Sequence, residues 1–232
     1  MFSTGDCVMM DVISRLVAFL LFVSLSPVWL LALFWVFVWD RKNPIYTSKR
    51  VGKHKKIFLM VKIRTMSLSV HEDAYTLDHH PRVTMPGRVL RLLKVDELLQ
   101  LWNIVCGDMH FFGPRPDIVS ALPRYEGGEK IFDVLPGMMD ISSLVFAREG
   151  KLLSLSKTPG DAFSYEAIFA VKKKLMCFYV DYASWRMNTF LLYLLGLRFL
   201  SSRLFVCGLE TFFSVFCVPA PLAKASLGYV RV

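Results

Sequence analysis

A chain of 232 residues is long enough for one globular domain with added membrane-associated elements. Hydrophobic residues make up 54 % of it, above the range of ordinary soluble domains, yet the net charge is +9. That pairing excludes an acidic or disordered chain and points to an anionic membrane surface, to phosphate ligands, or to nucleic acid.

Residues 16–39 carry no charge. As one helix they would reach about 36 Å, enough to cross a bilayer core. A cleavable signal peptide is not expected, because the run is too long and no small-x-small site follows it. Ser24, Ser26 and Pro27 lie in its middle, and Pro27 removes a backbone donor and clashes with the preceding turn, so a break is predicted there. Two topologies follow. One is a kinked span. The other is a helix-break-helix that returns to the side it entered, since each half reaches only about 18 Å. Nine lysines and arginines fall between 41 and 64, with no acid before residue 71, which places that flank in the cytoplasm. The weak charge on the N-terminal side leans toward a span.

The chain is soluble in character after Asn43-Pro44. Residues 56–65 predict a strand and 71–83 a polar loop. Helical spacing covers 86–106. Pro114, Pro116, Pro123 and Pro136-Gly137 mark turns. A short strand is predicted over 141–146 and a helix over 163–182. Another apolar helix over 184–207, basic at Arg186, Arg198 and Arg203, suits either a membrane interface or a core. Residues 209–232 are apolar with weak patterning. The five cysteines are scattered without zinc-site spacing, and His79-His80 are adjacent rather than one turn apart, so no metal motif of that kind is present. The thiols read as reduced, in keeping with a cytoplasmic face.

Residues 91–116, RLLKVDELLQLWNIVCGDMHFFGPRP, carry the chemistry. Asp96 and Glu97 are adjacent carboxylates inside an apolar helical pattern. Asp96 could simply cap a second helix that Gly107 closes. A cap position would also favour its ionised form, which a nucleophile needs. A DNA-binding helix-turn-helix over 88–105 fits poorly: the two acids would face a phosphate backbone, and no recognition helix follows.

From about residue 10 to 200 the chain resembles the bacterial sugar transferases, the monotopic polyprenyl-phosphate phosphoglycosyl transferases. The resemblance rests on five motifs in order: Ser26-Pro27 in an apolar segment, VKIRTM (61–66), VDELLQLWNIVCGDM (95–109), FFGPRP (111–116) and LPGM (135–138). It implies transfer of a sugar 1-phosphate from a nucleotide diphosphate-sugar, usually a UDP-sugar, to polyprenyl phosphate. In the family Asp96 would be the nucleophile, forming an aspartyl-phosphosugar, with Glu97 assisting and Mg²⁺ held by both. Lys62, Arg91, Arg115 and Arg148 would bind phosphate. The implied fold is α+β and mostly helical, with an N-terminal re-entrant membrane helix over 1–40, a small cytoplasmic catalytic domain with interfacial amphipathic helices over 41–207, and an apolar tail over 208–232. The implied location is the bacterial inner membrane. The implied partners are nucleotide-sugar, polyprenyl phosphate, membrane lipid and later glycosyltransferases, not nucleic acid. Departures occur at Leu135 and Asn188, where the family has Arg and Asp, and through 138–149. They keep a second reading open: a catalytically silent membrane protein of the same fold, used for interaction.

Overall fold

The computed structural model describes residues 4–67, 82–156 and 161–231. His79, His80 and most of the predicted 71–83 loop lie outside those residues. The protein is mostly helical with small two-stranded sheets, the α+β class expected. It divides into two compact units, Met1–Phe111 with Pro116–Leu122, and Phe112–Arg115 with Pro123–Val232.

The first unit begins with α1 (Thr4–Ser24) and α2 (Ser26–Asp40). Pro27 stands in the first turn of α2, where a missing N–H costs nothing. The same missing donor prevents α1 from continuing, and the chain breaks at Leu25. The axes of Asp11–Ser24 and Ser26–Asp40 meet at 59°. Ser24 Oγ donates to the Leu21 carbonyl (3.2 Å) and Trp29 Nε1 to the Phe22 carbonyl (3.0 Å), which satisfies acceptors near the break. Arg41, in the left-handed region at φ 52°, ends α2. No single helix among the described residues is long and apolar enough to cross a membrane, and only the bent pair together reaches that length.

Asn43 Oδ1 accepts the Ile45 N–H (2.9 Å) and starts β1 (Ile45–Val51). β1 pairs antiparallel with β2 (Ile57–Ile63), Ile45 opposite Ile63 and Val51 opposite Ile57, so the predicted strand is present. Then come α3 (Met85–Leu92), a single 3₁₀ turn (Val95–Glu97) and α4 (Gln100–Cys106). Ala32 and Val36 of α2, Ile63 of β2, Leu90 of α3 and Leu99 form one buried cluster. One face of the bent pair therefore packs beneath the 3₁₀ turn. The other bares Leu16, Leu20, Leu31 and Phe34. Both helices of the pair are tied into the same unit: Asp11 of α1 pairs with His110 (2.9 Å) and Asp40, the last residue of α2, with the buried Arg64 (3.1 Å).

In the second unit the Gly113 N–H donates to the Met139 carbonyl and the Gly137 N–H to the Pro114 carbonyl, both at 3.0 Å. A side chain on Gly137 would place its Cβ 2.1 Å from the Gly113 nitrogen, which explains glycine after Pro136. The strand predicted over 141–146 is instead α5 (Ile141–Val145). Asp140 decides this: its Oδ1 accepts the Ser143 N–H (2.8 Å), and Ser143 Oγ accepts the Asp140 N–H (3.0 Å), a reciprocal cap that commits the segment to a helix. α6 (Glu149–Ser154) and α7 (Tyr165–Tyr182) follow. The apolar helix predicted over 184–207 is broken in two at Ser201, which closes α8 (Trp185–Leu200) and caps α9 (Ser202–Val215). Leu191 and Leu194 of α8 are buried, while Trp185, Tyr193, Phe199 and Leu200 are exposed. Residue 208 lies inside α9, and α10 (Ala220–Val230) completes the chain. Leu209 and Phe212 sit with Ile141, Leu175 and Leu191 in the core of this unit.

Candidate active site

The site residues of the first unit are set by the α3–α4 corner. Thr84 caps α3, its Oγ1 accepting the Gly87 N–H (3.1 Å). Gly87 lies so close to Thr65 that a Cβ would stand 2.1 Å from the Thr65 carbonyl oxygen. This approach lets Arg91 Nε donate to Thr65 Oγ1 (2.9 Å). After Leu93 the chain turns sharply at Lys94, in the left-handed region at φ 58°, into the 3₁₀ turn that carries Asp96 and Glu97.

Asp96 is not the helix cap that spacing alone allowed. Leu99 occupies the cap position of α4 and makes no side-chain cap bond. The positive φ of Lys94, rather than a cap at Asp96, redirects the chain. Gly107, at φ 84°, closes α4 as expected. Asp96 is 8 % exposed, and burial, then the Glu97 carboxylate, push its carboxyl above the usual range. Lys62, Lys94 and Arg91 pull it back in that order. Glu97 Oε1 lies 3.6 Å from Lys62 Nζ, both side chains largely buried.

Lys62 and Arg91 therefore stand beside Asp96 and Glu97. Arg115 and Arg148 belong to the second unit. Arg115 Nη1 donates to the Met138 carbonyl (3.2 Å), and Arg148 is exposed at the start of α6. Three residues of this stretch receive no role from the sequence alone. Lys94 is revealed only by its backbone turn. Gln100 and Asn103 are 0 % and 3 % exposed; Gln100 follows Asp96 by four residues and Asn103 follows Gln100 by three. That polar stripe in an apolar run was a usable signal.

Asp96 and Glu97 offer hard oxygen donors, and their mutual repulsion is what a divalent cation relieves. Among the described residues no cluster of three or more acids, histidines or cysteines provides a fuller metal cage. Two carboxylates plus ligand phosphates and water are the usual donor set of magnesium.

The model of the bacterial sugar transferases matches residues 6–193, a span that contains the helix break, α2 and the Asp96 turn. The chain belongs to the bacterial sugar transferase family. Among the relatives of this chain, the exopolysaccharide production protein ExoY of Rhizobium meliloti is 37 % identical over 133 residues, 50 % of this chain and 58 % of the relative. The UDP-galactose-lipid carrier transferase of Erwinia amylovora is 35 % identical over 117 residues, 43 % of this chain and 24 % of the relative. The undecaprenyl-phosphate galactose phosphotransferase of Salmonella typhimurium is 35 % identical over 103 residues, 37 % and 22 % of the two chains. The chain spans between 22 % and 58 % of the length of these curated relatives.

Proposed function

We propose that this sugar transferase moves a sugar 1-phosphate from a nucleotide diphosphate-sugar, a UDP-sugar, to polyprenyl phosphate, starting assembly of a polysaccharide or glycoconjugate. The observation that carries the reading is the buried Asp96 beside Glu97, surrounded by Lys62, Lys94 and Arg91. The names of the Erwinia and Salmonella relatives support the lipid carrier as acceptor.

An Asp96 oxygen attacks the β-phosphorus, the bond to the bridging oxygen breaks, and the nucleoside monophosphate leaves with that electron pair. A polyprenyl phosphate oxygen then attacks the same phosphorus and releases the Asp96 carboxylate. Attack by an anion on a diphosphate needs nearby positive charge, and the three cations around Asp96 provide it. They also offset the burial that otherwise disfavours the ionised nucleophile. Asp96 and Glu97 would hold Mg²⁺, which supplies further neutralisation of the diphosphate when bound. Arg115 and Arg148 are assigned to phosphate binding by resemblance.

The bent helix pair is assigned a re-entrant course, with both ends at the cytoplasmic face of a bacterial inner membrane. The ties of Asp11 to His110 and Asp40 to Arg64 support it, because a straight span would carry one end away from the unit that holds both. The bared apolar face of the pair suits lipid contact, and the basic 41–64 stretch suits an anionic surface. Later glycosyltransferases of the same assembly would take up the lipid-linked product.

The test is incubation of the purified protein with polyprenyl phosphate, Mg²⁺ and a panel of nucleotide-sugars, reading nucleoside monophosphate release. Release with at least one donor is expected, and its loss in Asp96→Asn. Full release by Asp96→Asn would overturn the assignment.

A further inference from the structure

Among the described residues β2 belongs to a two-stranded sheet, in which β1 covers one of its edges and leaves the other for a different partner. Asn103 of α4 fills that role with a side chain. Its Nδ2 donates to the Leu59 carbonyl (2.7 Å), and its Oδ1 accepts the Val61 N–H (3.0 Å). One carboxamide thus bridges the carbonyl of one residue and the N–H two residues on, bonds that an added strand would make. A buried carboxamide with both ends used against backbone is a rigid tie. The next residue of β2 is Lys62, whose ammonium reaches Glu97 at 3.6 Å. Asn103 and Glu97 sit on the same short stretch of chain, six residues apart, with only Leu98 and Leu99 between the 3₁₀ turn that carries Glu97 and the start of α4.

From this juxtaposition we propose that Asn103 is a positioning residue of the site: its carboxamide holds β2 in register against α4 and so keeps Lys62 at the Asp96–Glu97 turn. The proposal rests on the phosphotransfer reading above for the importance of Lys62, but not for its placement. A hairpin of two strands is marginal by itself. A slip of one residue along β2 would carry Lys62 about 3.3 Å and turn it to the opposite face. The tie needs one donor and one acceptor. Aspartate, nearly the same shape, offers only acceptors and would face the Leu59 carbonyl with negative charge. Leucine would leave the Leu59 carbonyl and the Val61 N–H without this partner.

Two measurements on the full chain in detergent or nanodiscs test the proposal. In the first, limiting acetic anhydride is added and acetylation of Lys62 is followed by mass spectrometry relative to the exposed Lys53 and Lys55. Asn103→Leu and Asn103→Asp should each raise the relative rate at Lys62 several-fold. An unchanged rate in Asn103→Asp, with the thermal midpoint showing a folded protein, overturns the proposal. In the second, turnover is measured for Asn103→Asp, Lys62→Met and the double variant. Asn103→Asp alone should lose about tenfold, the scale on which removal of an orienting partner is felt. In the Lys62→Met background it should lose little more, because both changes remove the same cation from the turn. Full additivity would place Asn103 outside the action of Lys62 and overturn the proposal. A normal acetylation response in a protein that transfers no sugar phosphate would strike the phosphotransfer reading and leave the positioning role standing.

Discussion

The indole nitrogen of Trp29 donates to the carbonyl of Phe22 at 3.0 Å, joining the two sides of the helix break. The rings of the same two residues stack with centroids 4.9 Å apart. Phe22 also meets Trp102 of α4 at 5.6 Å, so the break is tied to the helix that follows Asp96. Trp29→Phe keeps an aromatic ring against Phe22 but removes the donor and part of the stacked ring area. It should lower stability by about 1–3 kcal/mol, the cost of leaving such a carbonyl without its partner. Thermal unfolding in nanodiscs checks this, and an unchanged midpoint would show that another donor serves Phe22.

The re-entrant course predicts that an engineered cysteine at Ser3 or Thr4, in a background without Cys7, is labelled from the cytoplasmic side. Pro27→Leu restores the N–H that lets a helix continue. It should straighten the pair and shift labelling toward the periplasm. Periplasmic labelling of the unaltered Pro27 protein would establish a span instead.

Arg91 is held by Thr65 within the Asp96 site, and Arg115 is held at the Met138 carbonyl. Alanine at either position should cost about 2–4 kcal/mol of transition-state stabilisation, the scale of one charge-stabilising donor. Lysine should rescue poorly because it lacks the planar fork. Turnover within about threefold of the parent, below about 1 kcal/mol, would assign that arginine to the surface.

A covalent step implies ping-pong kinetics. Without lipid acceptor, labelled nucleotide-sugar should leave a phosphosugar on the protein, absent in Asp96→Asn. Glu97→Gln should reduce turnover severely, and chelation of divalent ions should abolish it. Sequential kinetics with no adduct would exclude the aspartyl intermediate.

Gly137→Ala tests the close approach of backbone in the second unit. Its Cβ would fall 2.1 Å from the Gly113 nitrogen, so the two segments must separate. A loss of at least about 1–3 kcal/mol is expected in equilibrium unfolding.

Several features were legible from local rules that act over a few residues. The missing donor of Pro27 marked the break, the strand-like run of 56–65 marked β2, and the left-handed preference of Gly107 marked the end of α4. The acidic pair and its basic surroundings were legible as a pattern of residue types, and so was the family. Local rules misread 141–146, where β-branched and apolar residues suggested a strand and the reciprocal cap between Asp140 and Ser143 made a helix. They also ran 184–207 as one helix, where Ser201 ends one and begins the next.

Sequence by itself determined which residues could carry phosphate chemistry, because carboxylates, lysines and arginines bring their charge wherever they stand. Only the tertiary structure decided how Asp96 experiences that charge. It buried the carboxyl beside Glu97, which raises its proton affinity, and brought Lys62 from a strand more than thirty residues away to oppose the effect. Burial and long-range proximity are properties of packing, and spacing along a chain does not encode them. The same holds for Asn103, whose amide could have faced water and instead completes the edge of β2.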